Sequence, residues 1–431
     1  MKSIDSIIST EGGFITGNMY HIPNRSFLPK GLSQISCDGK NYSLLGSNLD
    51  VIQGSSIGFS YQHALNASIG EFAERYCASF EPKDDFLFAD YTTLKNTVKE
   101  NILNPSEVCP YAEWQYNKKE FPYKKFTHSN KVTWVKGNVL SSNRSIWVPA
   151  FLTYLPHNSK LDLGEEFTLN TSTGVSAGKT LNDAIEGGLL ECIERDAFCN
   201  FWYKQRDILN QVSLYNQQEI KSVYPHNDKI FRLFNNQNVK IFTYDLSLLS
   251  DVNTILIVLY YYYKNRKMIS VGAASRFNME DAITKAALEA YQGIEYGILL
   301  YNKESEWISN DSDFSNVNSF QKHFAFYNKF PELRVHVPML NRLEDNTATN
   351  FSTGIVKNKI TSLKELLSKS NYQVIYVDVT TRDVNDLDIK VVRVIVPNLT
   401  TLTGVHLYPF LGLPEFNNRE KLFLEFPHLF P

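Results

Sequence analysis

Three segments of the chain carry the hydrophobic spacing of an amphipathic helix. In the first, the apolar residues Leu65, Ile69 and Phe72 recur every three or four positions, which predicts a helix from about residue 61 to 80 with one buried face. A second helix is predicted after the polar stretch 170–180, and a third over 281–301. Each of the three helices is therefore expected to pack one side against a core.

The polar side of each predicted helix carries a glutamate that is followed three residues later by a second glutamate or by a glutamine. The three pairs are Glu71 with Glu74, Glu191 with Glu194, and Glu289 with Gln292. A small residue precedes each pair, and an alanine lies seven residues, or two helical turns, before the first glutamate of each. Because the register is the same in all three copies, the repeat indicates a shared geometric cause.

Two explanations of this repeat are open. Charge runs are usually solvated faces, and Arg75 and Arg195 would then pair with glutamates of their own helices. Alternatively, the helices converge and five carboxylates share one volume, where two such charges about 5 Å apart repel by about 3 kcal/mol at an effective dielectric constant of about 20. Oxygen ligands without a His or Cys cluster favour a hard cation such as Mg²⁺, which usually arrives with phosphates. The second explanation therefore predicts a magnesium–nucleotide site.

Apolar runs of strand length lie between the predicted helices. The predicted strands are 132–135, 145–149, 239–244, 254–263, 269–273, 372–379 and 389–396, with shorter pieces at 13–20 and 42–45. Strand runs interleaved with single helices predict an α+β fold of mixed sheets with helices packed on them. The Ser-, Asn- and Gly-rich residues 1–50 are expected to form an N-terminal arm or edge hairpin, ahead of a larger domain over 51–431.

Composition narrows the class of protein. The 431 residues carry a net charge of −3, which argues against a general nucleic-acid-binding protein. The longest apolar run, 255–263, is too short to span a membrane, and the N-terminus lacks the apolar region of a signal peptide, so we expect a cytoplasmic protein. Five cysteines without a C-x-x-C pair are expected to be reduced thiols.

Three further features are candidates for binding or catalysis. The segment 174–180 resembles a phosphate-binding loop but has one residue too few between its glycines, which favours a flexible loop from which Lys179 would reach a phosphate. Arg393 interrupts an apolar strand and is expected either to pair with the acidic site or to bind phosphate. The tail 425–431 contains two prolines, which lower the entropic cost of an extended, inserted conformation; a frayed terminus is the alternative.

Together these motifs resemble the YcaO family over residues 50–431. The resemblance rests on Ser68-x-x-Glu71-x-x-Glu74-Arg75, on Glu191-x-x-x-Arg195 and on Glu289-x-x-Gln292, with flanking similarity at 172–178, 194–197 and 393–397. It implies a YcaO-like fold around a central Mg²⁺–ATP site. The implied metal ligands are Glu71, Glu74, Glu191, Glu194 and Glu289, and the implied ATP contacts are Ser68, Arg75, Arg195, Gln292, Arg393 and Lys179.

Within that family, the proline-bounded tail resembles the azoline-forming cyclodehydratases that modify ribosomally made peptides. The implied reaction is ATP-dependent cyclisation of Cys, Ser or Thr to thiazoline or (methyl)oxazoline, with the terminal carboxylate of Pro431 as general base. Two residues depart from the family pattern: Leu429 lies between Pro427 and Pro431, and Ile57 stands where the family often has lysine.

The resemblance also implies partners and leaves alternatives. A chain of this length is expected to work with a separate leader-peptide-binding partner of the C-protein type, for which 1–50 is the candidate contact. A precursor peptide is the expected substrate, with a flavin-dependent dehydrogenase as a further candidate partner and a homo-oligomer within a complex as the expected assembly. The alternatives are backbone thioamidation, which the tail disfavours, and a nucleotide-binding scaffold without chemistry.

Overall fold

The computed structural model describes residues 7–8, 14–23, 27–82, 85–157, 167–303, 314–344 and 359–430. Strands are β1 Met19–Ile22, β2 Ser33–Gly39, β3 Ile52–Gly58, β4 Leu87–Ala89, β5 Asn101–Ile102, β6 Val132–Val139, β7 Arg144–Pro149, β8 Val175–Gly178, β9 Ser213–Asn216, β10 Val239–Asp245, β11 Asn253–Tyr263, β12 Arg266–Arg276, β13 Ile375–Asp378 and β14 Lys390–Ile395. Helices are α1 Tyr61–Ser79, α2 Tyr91–Thr97, α3 Glu113–Tyr116, α4 Leu181–Ile208, α5 Gln217–Val223, α6 Asp228–Phe234, α7 Met279–Asn302, α8 Phe320–Lys329, α9 Pro338–Glu344, α10 Leu363–Lys369 and α11 Arg382–Asn385. The predicted α+β class is confirmed.

The strands form three sheets. One has the order β1-β2-β3, a second the order β12-β11-β10-β9, and the largest the order β5-β7-β6-β13-β14-β8 with β4 paired to β6. All pairs are antiparallel except β5 with β7. The chain therefore does not follow a βαβ winding, and its helices are distributed over separate antiparallel sheets.

Strand β11 explains the continuous apolar run at 254–263. It lies between β10 and β12 in its sheet, so both of its faces are available for packing. Ile255, Ile257 and Leu259 pack in the core beneath α7, while Leu256 and Val258 pack in the core shared with α4 and the C-terminal segment. A strand that is buried on both faces needs no polar alternation, which is why the sequence shows none.

Each of the three acidic helices follows a strand, and the spacing from strand end to capping residue to first glutamate is the same in all three strand–helix units. Strands β3, β8 and β12 end two residues before a capping residue, and the caps Ser60, Thr180 and Asn278 accept hydrogen bonds from the backbone of the first turns of α1, α4 and α7. The first glutamate of each helix lies eleven residues after its cap. The repeated acidic pattern is thus part of a longer repeat that includes the preceding strand.

A glycine in β3, one in β12 and one immediately before β8 let the following helices approach closely. A Cβ added to Gly54 would lie 2.2 Å from the backbone oxygen of Ser68, and one added to Gly272 would lie 2.3 Å from that of Ala286. In the second unit Gly188 on α4 lies against Gly174, where an added Cβ would be 2.7 Å from the Gly174 oxygen. The small helix residue comes three positions before the first glutamate in every unit, so its role is to let the helix backbone rest on the strand.

Most predicted elements are present, and a few predictions are wrong. The helices over 61–80 and 281–301 and the strands between 132 and 273 agree with the structure within a few residues. Tyr42–Leu45, predicted as a strand, is a short 3₁₀ helix, and the predicted flexible loop at 174–180 contains strand β8. The proposed division at residue 50 stays a prediction; β2 and β3, on either side of it, belong to one sheet. No helix among the described residues is both long and apolar enough to cross a membrane.

Candidate active site

The first glutamate of α1 and that of α4 bind the backbone of the strand unit that precedes their own helix. The Ser55 N–H donates to Glu71 Oε2 at 2.9 Å, and the Gly174 N–H donates to Glu191 Oε2 at 3.1 Å. Because Gly54 and Gly174 let α1 and α4 lie close to this backbone, the Glu71 and Glu191 side chains can reach it. The hydrogen bonds fix the carboxylates at the helix–strand junctions.

The second residue of each pair instead reaches the strand of the next unit. The Ala177 N–H of β8 donates to Glu74 Oε1 of α1 at 2.8 Å, and the Ser275 N–H of β12 donates to Glu194 Oε2 of α4 at 3.3 Å. The circuit closes at α7, where Gln292 Nε2 donates to the Ser55 oxygen of β3 at 3.0 Å. The three units therefore meet around one centre, which the repeat alone left undecided.

An amide at position 292 suits this contact. The partner atom is a carbonyl oxygen, which accepts from an amide N–H but would repel a carboxylate. In the other two units the partner is an N–H group, which suits Glu74 and Glu194. The difference between the third copy and the first two thus follows from the backbone group that each side chain faces.

The five glutamates, Glu71, Glu74, Glu191, Glu194 and Glu289, form one electrostatically connected group, here called the acidic cluster. Burial raises the pKa of Glu74 to about 8, and the charges of Glu191 and Glu71 add to this shift while the Ala177 N–H opposes it. Burial also raises the pKa values of Glu191 and Glu194, and the charge of Glu289 contributes to both shifts. The carboxylates are close enough to destabilise one another's charged forms.

Cations already present in the chain balance part of this charge. Arg75 lies 3.2 Å from Glu71, and Lys285 lies 3.0 Å from Glu289 one turn away on α7. Arg195 lies 3.6 Å from both Glu191 and Glu194. The elevated carboxyl pKa values persist in the presence of these three cations.

The donor set of the acidic cluster fits a magnesium ion that is bound together with phosphates. Mg²⁺ takes oxygen ligands, commonly one or two carboxylates with phosphate oxygens, and Arg75 and Arg195 lie beside carboxylates of the cluster. Within the described ranges, no group of three or more His, Cys, Asp or Glu side chains is arranged to hold a metal alone. A divalent cation would favour the ionised carboxylates that burial and mutual repulsion now disfavour.

Other predicted site residues lie outside the acidic cluster. Ser68 is fully buried, and its hydroxyl donates to the Leu65 oxygen of its own helix at 2.9 Å. Lys179 is exposed just before α4. Arg393 is buried on β14 and donates to the Thr171 oxygen at 2.7 Å; burial lowers its pKa, while Cys192 and Glu191 act in the opposite direction.

The C-terminal tail is docked against the protein through Phe430. Its His428 ring stacks on His323 of α8 with ring centres 3.7 Å apart, and Phe430 lies beneath the Arg195 guanidinium at 4.3 Å. Leu429 and Phe430 are buried, which agrees with the inserted-tail prediction as far as the tail is described. Pro431, the predicted general base, lies outside the described residues.

The two stacked histidines, His323 and His428, here called the histidine pair, were not predicted from the sequence. His323 Nδ1 lies 2.9 Å from the His428 oxygen, and His428 Nε2 lies 2.9 Å from the Thr403 oxygen. Burial lowers the pKa of both rings, that of His428 to about 4, and nearby His406 and Arg195 add to the effect on His428. The pair is therefore held neutral.

The strand groups that bind the glutamates were also missed, although one sequence signal marks them. A glycine lies seventeen residues before the first glutamate in all three units, at Gly54, Gly174 and Gly272. Extending the acidic repeat backward by one strand would have revealed the complete strand–helix unit. The hydrogen bonds between units leave no such signal, because in each of them one partner is a backbone N–H or C=O group, which every residue type except proline carries.

A family model described as YcaO cyclodehydratase, ATP- and Mg²⁺-binding, matches residues 55–400. A protein of Methanothermobacter thermautotrophicus that is described only as uncharacterized is 23% identical over 349 residues, covering 79% of this chain and 80% of that protein. The family match includes all three acidic helices. The predicted cofactors, ATP and Mg²⁺, are those of the matching family.

Solved structures support the fold. A heterocyclase in complex with substrate and cofactor aligns with a TM-score of 0.65 at 17% identity over 89% of this chain. The alignment covers 50% of the heterocyclase, so this chain spans about half of its length. A chain of the Escherichia coli microcin synthetase McbBCD complex aligns with a TM-score of 0.56 at 17% identity, covering 95% and 96% of the two chains. The YcaO protein from Methanopyrus kandleri bound with AMPPCP and Mg²⁺ aligns with a TM-score of 0.51 at 15% identity, covering 89% and 85%. The chain belongs to the YcaO family.

Proposed function

We propose that the protein catalyses ATP-dependent cyclodehydration of Cys, Ser or Thr residues in a ribosomally made precursor peptide. The observation that carries the proposal is the acidic cluster, which three strand–helix units assemble from distant parts of a YcaO chain. Two structural relatives, the heterocyclase and the microcin synthetase complex, support this reaction class over others.

The acidic cluster would hold Mg²⁺ and orient ATP. Glu71, Glu74, Glu191, Glu194 and Glu289 are the proposed metal ligands. Arg75 and Arg195 would contact the phosphates, since each lies beside a cluster glutamate. Lys179 is an additional phosphate contact if its exposed side chain turns toward α4, while Ser68 and Gln292 would position the helices around the nucleotide. Bound Mg²⁺–ATP supplies an electrophilic phosphoryl group and neutralises the charge that develops on it.

The proposed reaction balances as follows. The side-chain sulfur or oxygen of the substrate adds to the preceding backbone carbonyl carbon and loses its proton to a base. The former carbonyl oxygen accepts the γ-phosphoryl group and then departs as inorganic phosphate while the amide nitrogen loses its proton, leaving the C=N bond of the azoline. The net result is loss of one water from the peptide and hydrolysis of ATP to ADP and phosphate.

The tail would supply the base. Phe430 is buried beneath Arg195, which lies on α4 together with Glu191 and Glu194. Pro431 is the residue that follows Phe430. The terminal carboxylate is therefore proposed to accept the substrate's proton. Deleting Pro431 should move the carboxylate to Phe430 and lower turnover more than it lowers ATP-analogue binding.

The proposed partners follow from the same reaction class. A leader-peptide-binding protein would present the precursor peptide, and residues 1–50, which include β1 and β2, are the proposed contact. A dehydrogenase acting on the azoline and self-association within a larger complex are further parts of the proposal. Addition of ATP and peptide alone should give little turnover, and full activity without a second protein would contradict the partner requirement.

Peptide mass is the experiment that tests the function. The protein, a candidate partner, Mg²⁺–ATP and a precursor peptide are incubated, and the peptide is weighed by mass spectrometry. Cyclodehydration predicts the loss of one water mass per ring. A gain equal to the exchange of oxygen for sulfur would instead identify thioamidation, and an unchanged mass with the partner present would favour a scaffold.

A further inference from the structure

A cavity of about 140 Å³ adjoins the acidic cluster across helix α4. Glu191 belongs to the cluster, and the next residue, Cys192, lines the cavity. Thr171 and Thr173, which lie just before the Gly174 N–H that binds Glu191, line it as well. A ligand in this cavity would therefore sit beside the proposed Mg²⁺–ATP site without occupying it.

Two residues that line the cavity, Arg393 and Thr400, each carry a buried donor that has no acceptor among the described residues. Arg393 is 9% exposed and its Nε–H lacks a partner, although its Nη1 donates to the Thr171 oxygen. Thr400 is 5% exposed and its hydroxyl also lacks a partner. A buried donor without an acceptor is costly, so both groups favour a ligand that brings hydrogen-bond acceptors.

The other residues that line the cavity indicate which of these ligands would fit. Most of it is apolar, with contributions from Leu103, Phe151, Leu152, Val396, Leu399 and Phe410. The positive charge of Arg393 is already opposed by the charge of Glu191, so the cavity does not present an unbalanced cation. A phosphate would need more donors than these two, whereas a neutral carbonyl next to an apolar side chain suits both the donors and the wall.

We propose that this cavity binds the substrate peptide. An apolar side chain of the peptide fills the cavity, and adjacent backbone carbonyl oxygens accept hydrogen bonds from Arg393 Nε and Thr400 Oγ1. The inference rests on the proposed function, because it places the peptide next to the cluster that would act on it. It assigns Arg393 to the peptide rather than to ATP.

Cys109 provides a reporter of cavity occupancy. It lines the cavity and is only partly buried, whereas the other four cysteines are buried. The test measures the rate of Cys109 alkylation by iodoacetamide, by intact mass, with N-acetyl-leucyl-serine amide as the probe and without ATP. At about ten times its dissociation constant, the probe should slow alkylation about tenfold, as mass action requires. Cys109→Ser identifies the labelled site.

Matched probes and variants make the result specific. N-acetyl-aspartyl-serine amide should protect Cys109 less than the leucyl probe, because its charge would enter an apolar cavity. Thr400→Val should weaken protection by the leucyl probe and Thr400→Ser should retain it. Leu399→Trp should fill the cavity and abolish the effect of the probe, while the same change at exposed Leu248 should leave it intact.

The outcomes separate this proposal from the proposed function. Absence of protection by the leucyl probe, or stronger protection by inorganic phosphate or ATP, would overturn the assignment of the cavity. Protection of Cys109 by the leucyl probe supports the cavity even if no precursor peptide loses water with ATP, a result that would contradict only the chemistry. Loss of water by a precursor without protection by the probe would support the chemistry and overturn the cavity.

Discussion

The acidic cluster and the histidine pair are both buried groups of titratable side chains, and they differ in what burial does to them. Burial raises the pKa of Glu74 to about 8 and lowers that of His428 to about 4. Each shift disfavours charge, but a bound divalent cation would favour the ionised carboxyls, whereas the neutral histidines already bind backbone carbonyl oxygens. A bound cation would therefore stabilise the acidic cluster, whereas the histidine pair is stable in its neutral form.

The largest expected effect comes from removing one charge of the acidic cluster. Glu191→Gln should reduce ATP consumption by at least about a hundredfold, because a proposed metal ligand is lost, while thermal stability is retained or increased as repulsion falls. ADP release and thermal unfolding are the measurements. Glu186→Gln, on the same helix but outside the cluster, is the control and should retain activity; equal loss in both variants would contradict the assignment.

Acid should weaken the histidine pair. His428 has a lowered pKa in the folded protein, so its stabilising contribution is present above the ordinary histidine pKa and is lost as pH falls toward 4. The shift from about 6.5 to about 4 corresponds to about 3 kcal/mol of unfolding free energy. Urea unfolding between these pH values measures it, and His428→Gln should flatten the profile. An unchanged slope in that variant would show that other groups cause the acid sensitivity.

The acidic cluster should show the opposite pH dependence. The raised pKa of Glu74 makes its contribution to the stability of the ligand-free protein complete below the ordinary carboxyl pKa, and that contribution is lost as pH rises through about 8. Because the pKa of Glu194 is raised as well, binding of Mg²⁺ with a non-hydrolysable ATP analogue near neutral pH should therefore release at least about one proton. Calorimetry in two buffers of different ionisation enthalpy measures this release, and equal heats in both buffers would contradict the protonated state.

A smaller effect is expected from the helix–strand contacts that position the cluster. Gly272→Ala would bring a Cβ within 2.3 Å of the Ala286 oxygen, so α7 must move away from β12 at a cost of about 1–3 kcal/mol. Analogue binding should weaken with it, since Glu289 lies on the same helix. Gly46→Ala is the control for destabilisation away from the site, because alanine is strained at the φ of +94° there while no atom lies within 4 Å of the added Cβ. Equal affinity for the ATP analogue in both variants would show that the contact between α7 and β12 does not position the site.

The sequence was sufficient for most of the elements but not for their mutual placement. Helical periodicity predicted α1 and α7, and a continuous apolar run predicted β11, because these elements bury apolar side chains in the cores. The circuit through Ala177, Ser275 and Ser55 depends on backbone groups of separate sheets, and backbone groups have no residue-specific signature. The histidine pair joins residues 105 positions apart, so local spacing gave no indication of it.

Ser68 shows that a residue of the motif can have a packing cause for its size that the sequence does not reveal, while its predicted ATP contact stays a prediction. Ser68, Gly188 and Ala286 share a position, and the sequence showed only that all three are small. In the structure this position rests against a strand glycine, which gives a packing reason for its size. Helical periodicity alone could not distinguish this buried contact from a nucleotide contact one turn before the glutamate.

The central claim is that the three acidic helices form one Mg²⁺–ATP site. It is tested most directly by calorimetric titration of a non-hydrolysable ATP analogue, with and without Mg²⁺, into the wild type and into Glu71→Gln, Glu191→Gln and Glu289→Gln. The account predicts one Mg²⁺-dependent site per chain and at least about tenfold weaker binding in every variant, one from each helix. Wild-type affinity in any one of the three folded variants would contradict a shared site.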